Sequence, residues 1–131
     1  MRRILLLVFI LLVALTQGCA FKKISDLPPA DQSVEYSIIL MESWKATYHQ
    51  YNQIKPSLTA DQKILAADFV QAMNLAKPCI LEATRCAELW KIATADHSAE
   101  AERIYRQQSQ IAADMLKEAM NIWKKLRGAR E

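Results

Sequence analysis

Glycine occurs only twice in the 131 residues, at Gly18 and Gly128, so 109 consecutive positions contain none. A sheet of many short strands needs residues that tolerate positive φ at its turns, and this stretch supplies no glycine for them. Helices joined by a few connections need far fewer, and 52% of the chain is apolar. The sequence therefore predicts an all-α fold, with room for one domain.

Apolar spacing places the helices. From about Asp31 to Lys55, the residues Val34, Met41, Trp44, Tyr48 and Tyr51 recur every three or four positions with Ile38 beside them, and Pro56 ends the run. Thr59 followed by Gln62 forms a capping box for a second helix, over about Ala60 to Ala95. Its inner stripe is Leu65, Phe69, Ala72, Ala76, Cys79, Ala83, Cys86, Trp90 and Ala93, with Pro78 bending the axis. Asp96 and Ser98 are candidate caps for a third helix. That helix carries Ile104, Tyr105, Ile111, Ala112, Met115, Leu116, Ala119, Ile122, Trp123 and Leu126 inward, and Gly128 is its expected C-cap. Short connections then predict a three-helix antiparallel up-down-up bundle with a long kinked second helix. Helical rise predicts one core layer of Trp44, Phe69, Val70 and Trp123, and another of Trp90, Ile104 and Tyr105. On this count the second helix overshoots the first, leaving an apolar flank near Trp90 as a place for a partner or a second copy.

The amino terminus has a different character. Arg2 and Arg3 precede Ile4 to Leu15, twelve residues with no polar side-chain atom, and Gly18 and Cys19 follow shortly after. As a helix the run spans about 18 Å, short against a bilayer core of about 30 Å. A basic start, an apolar centre and then small residues are the parts of a secretory signal peptide. Gly18-Cys19 resembles the lipobox of bacterial lipoproteins, although Thr16 stands where that family usually has leucine and Leu15 lies one place earlier. The resemblance implies cleavage between Gly18 and Cys19, lipidation of Cys19 and membrane anchoring. With Ala20 rather than Asp after the cysteine, it implies the outer membrane, facing the periplasm. The domain organisation expected is a signal peptide over 1–18, a tether over 19–30 held extended by Pro28 and Pro29, and the helical bundle over 31–131. The competing cut follows Ala20, where Gly18 and Ala20 have small-x-small form, and would release a soluble periplasmic protein.

Chemistry is sparse. With Arg2 and Arg3 set aside, 15 Lys+Arg face 14 Asp+Glu, a near-neutral balance that argues against nucleic acid as a partner. Cys79 and Cys86 lie seven residues apart on one helix, about 10.5 Å, too far for a disulfide, which needs less than about 7 Å. His49 and His97 are placed roughly 45 Å apart, so one chain cannot use both on one metal or haem. No nucleophile elbow, HExxH or glycine-rich phosphate loop is present, and neither an enzyme nor a cofactor is expected. The expected function is a small envelope lipoprotein held by membrane lipid through Cys19. Its bundle acts as a structural or protein-interaction module, with a protein partner or a homo-oligomer meeting Trp90, Tyr105 and Tyr51. The alternative is a soluble periplasmic helical carrier of an apolar ligand beside the Pro78 kink.

Overall fold

The computed structural model describes residues 24–128. Three long helices account for nearly all of them: α1 (Pro29–Ile54), α2 (Ala60–Ile92) and α3 (Ala95–Gly128), with a 3-10 turn, Lys55–Ser57, between the first two. The described residues contain no strand, and the all-α three-helix bundle is what the sequence predicts.

Local signals explain the boundaries. Pro29 takes the first position of α1, where its missing N–H leaves nothing unpaired, so α1 begins two residues before the expected Asp31. The described part of the expected tether is folded back rather than open. The Leu27 N–H donates to the Ile24 carbonyl, and the Gln32 amide donates to the Leu27 carbonyl at 2.7 Å and the Ser25 carbonyl at 3.3 Å. Thr59 and Gln62 form the predicted capping box: the Gln62 N–H donates to Thr59 Oγ1, and the Thr59 N–H donates to Gln62 Oε1. α2 runs unbroken through Pro78 and stops at Ile92, three residues short of the predicted end. α3 starts at Ala95, which places Asp96 and Ser98 in its first turn rather than at the cap. Gly128 is helical and has no positive φ, so it is not the left-handed cap expected.

α2 is the middle of the bundle, packing along α3 and α1, while α1 and α3 touch only slightly. This arrangement widens its buried face. Of the predicted stripe Phe69, Ala76, Ala83, Cys86 and Trp90 are buried and Leu65, Ala72, Cys79 and Ala93 only half-buried, whereas Ala66, Met73, Ile80 and Ala87, outside it, are buried. A helix between two neighbours has two contact stripes, and a single-face reading finds only part of them. Ala76, Ala83 and Ala87 of α2 and Ala112 and Ala119 of α3 have no exposed surface, and their small side chains let the two helices approach closely.

The predicted Phe69–Trp123 layer is present, with ring centroids 5.3 Å apart. Trp44 lies one turn further along α2, where its indole N–H donates to the Met73 carbonyl at 2.7 Å. It reaches Phe69 through a run of rings, stacked on Tyr48 at 5.1 Å, then Tyr51, then Phe69 at 5.1 Å from Tyr51. In the second layer Trp90 and Tyr105 pair at 5.6 Å, but Ile104 faces solvent. The beginning of α1 departs most from its periodicity. Ser33 and Ser37 are buried, while Ile38, with Ile39 and Tyr36, is exposed.

Candidate functional site

The Asp31 carboxylate meets the Lys91 ammonium at 2.7 Å, tying the start of α1 to the end of α2. α1 therefore reaches the end of α2 instead of being overshot by it, and Trp90 is buried, while Leu89 and Ile92 beside it stay exposed. Tyr51 is buried too, beneath the turn between α1 and α2. Tyr105 is half-buried, its hydroxyl donating to the Ser33 carbonyl at 3.4 Å. Burial raises the pKa of both tyrosines above the ordinary value; Tyr48 adds to the effect at Tyr51, and hydrogen bonds to Ser109 and Ser37 offset it in part at Tyr105. These three residues support the core more than they offer a surface, and they occupy two different ends of the bundle. Gly18 and Cys19 lie outside the described residues.

Cys79 and Cys86 are free thiols on α2. Cys86 is buried, and burial raises its pKa, with the Glu82 carboxylate adding to the effect. His49 near the end of α1 and His97 near the start of α3 are exposed; His49 hydrogen-bonds the Gln53 amide. Among the described residues no three His, Cys, Asp or Glu side chains gather as a metal site would require.

The exposed apolar surface lies where sequence periodicity did not place it. Along α2, Ile64 is 70% exposed, Ile92 is 76% exposed, and Leu75, Leu81 and Leu89 are about half exposed, Leu75 bordering Met115 and Ile122 of α3. Ile38 of α1 and Ile104 and Ile111 of α3 are also exposed. α2 is accordingly apolar on both sides. Its most apolar 18-residue window reaches a mean hydropathy of 1.3, making it long and apolar enough in composition to cross a membrane. Its inner side packs on Trp44 and Trp123, as in a core helix, so the excess hydropathy resides in the exposed leucines and isoleucines.

Two hollows lie at opposite ends of the bundle. A cleft of about 900 Å³ lies under the α1–α2 turn, with Tyr51, Leu58 and Ala66 as floor and Lys55 and Lys63 among its walls. A smaller, more polar one of about 380 Å³ lies between α1 and α3 at the other end, lined by Gln32, Tyr36, Tyr105, Arg106 and Gln110. Neither cleft holds a nucleophile beside a general base, so both suit binding better than catalysis. No protein-family model, curated protein or solved structure matches this chain.

Proposed function

We propose that this chain is an envelope lipoprotein, acylated at Cys19, whose helical bundle acts by contact and pairs with a second copy held on the same membrane. The anchor rests on the sequence: the apolar run Ile4 to Leu15, then Gly18 and Cys19. From Cys19 to Pro29 is ten residues, at most about 36 Å of chain, so the bundle stays near the bilayer. The contact role rests on one observation, the outward apolar face of α2.

Two of the cations along α2 are already paired, Arg85 to Glu82 at 2.8 Å and Lys91 to Asp31, which favours an occupant fitted by apolar shape. A second copy carries the same face. From Leu75 to Ile92 the face is about 26 Å long, and with the shoulders of α1 and α3 about 20 Å wide. Two such faces bury on the order of 1,000 Å², the lower limit of a specific interface. Confinement to one membrane raises the effective concentration and compensates for that modest area.

Two measurements test the two halves separately. Intact-mass analysis of protein from the membrane fraction should find a diacyl or triacyl Cys19; an unmodified start at Phe21 would sink the anchor. A benzoylphenylalanine placed at Leu89 should photo-crosslink to a product of dimer mass in membranes. Leu81→Asp with Ile92→Asp should abolish that product while leaving the helical signal intact, and crosslinking indifferent to them removes the pairing.

A further inference from the structure

The cleft under the α1–α2 turn has a polarity along its length. At the turn end, Lys55 from the 3-10 turn and Lys63 from the start of α2 line it, and no carboxylate does. Neither lysine takes part in an ion pair among the described residues. Away from the turn the walls are Ala67, Val70 and Leu75 with the exposed amides of Gln71 and Asn74, over a floor of Tyr51, Leu58 and Ala66 that is almost fully buried. Its volume of about 900 Å³ lies in the range of small-molecule sites, roughly 300–1,000 Å³. Lys63 to Leu75 covers about 18 Å of helix, and an acyl chain in one leaflet of a bilayer spans about 15 Å, half the hydrocarbon core.

We infer that this cleft binds a single-chain anionic amphiphile, a fatty-acid carboxylate or an anionic lipid's acyl chain, with its negative group between Lys55 and Lys63 and its chain running toward Val70 and Leu75. Two cations at one end and a mainly apolar lining along the rest, with only the neutral amides of Gln71 and Asn74 among it, match a ligand with charge at one end only. A neutral chain would leave the lysines without a partner, and a polar solute would leave the apolar floor unfilled. The site is independent of acylation at Cys19 and of pairing through α2, and meets the pairing face only at Leu75.

The test uses the full chain in phosphatidylcholine nanodiscs with a diazirine-bearing dodecanoate. Photolysis should label the segments around Tyr51–Leu58 and Ala66–Leu75, saturably. Dodecanoate should displace the probe, and dodecanol should compete about tenfold less well. Lys55→Gln with Lys63→Gln should weaken labelling on the order of tenfold, the effect of losing two exposed charge contacts. Ala67→Trp, at an exposed wall position, should block the cleft with the melting temperature little changed. Replacing part of the phosphatidylcholine by phosphatidylglycerol separates the sources. Displacement by that lipid assigns the cleft to membrane lipid, and its failure to displace assigns it to free fatty acid; both outcomes support the site. Labelling spread over Leu81, Leu89 and Ile92, labelling unchanged in the double lysine variant, or equal competition by dodecanol overturns it.

Discussion

At the end where α1 turns into α2, α1 contributes the rings of Trp44, Tyr48 and Tyr51, which meet Phe69 of α2 through Tyr51 and the Met73 carbonyl through the Trp44 indole. At the opposite end α1 contributes the small buried side chains of Ser33 and Ser37, and the bulk comes from Trp90 of α2 and Tyr105 of α3. The first end belongs to one continuous apolar core, which Trp90 and Tyr105 do not join. The second is held by polar contacts: Tyr105 to the Ser33 carbonyl, Asp31 to Lys91, and the Ser37 hydroxyl to the Ser33 carbonyl at 2.9 Å. The larger, more apolar cleft borders the aromatic end, and the smaller polar one borders the serine end.

The contrast makes unequal demands on stability. Phe69→Ala, removing the ring between Tyr51 and Trp123, should cost about 3–5 kcal/mol in chemical denaturation. Trp44→Phe keeps the ring contact but leaves the Met73 carbonyl without its indole donor, at about 1–3 kcal/mol by the same measurement. Ser37→Ala at the other end should change stability by less than about 1 kcal/mol, because its hydroxyl donates to a carbonyl of its own helix and the Tyr105 hydroxyl keeps the Ser33 carbonyl when Ser37 is lost. If Ser37→Ala costs as much as Trp44→Phe, the two ends do not differ in the way described.

The smallest effects are on the thiols. Cys79, half exposed, should be alkylated faster than Cys86 at pH 8, as followed by peptide mass spectrometry, because the reactive thiolate of Cys86 is both buried and disfavoured. The raised values of Cys86, Tyr51 and Tyr105 also fix the sign of alkaline behaviour. The unfolded chain loses these protons first, so stability should fall as pH rises above about 9, the ordinary cysteine value. A melting temperature that climbs between pH 8 and pH 10 would contradict this.

The second half of α1 and the capping box at Thr59 were legible in the sequence because Trp44, Tyr51, Thr59 and Gln62 act through local spacing. The first half of α1 misled periodicity: Val34 and Ile38 mark an apolar side, yet Trp90 and Tyr105 leave room opposite α1 only for serine. The cleft was not legible either. Its cations, Lys55 and Lys63, belong to different elements, and nothing in their spacing announces that a turn brings both to one hollow.

By itself the sequence determined the helices, through the scarcity of glycine and the three- and four-residue apolar recurrence, since backbone preference and capping act over a few neighbouring residues. Tertiary structure decided which side of each helix is buried, that α2 stands in the middle with its outward leucines uncovered, and that α1 reaches Trp90. Those outcomes depend on how large and small side chains from distant segments share one space, which no single helix's pattern encodes.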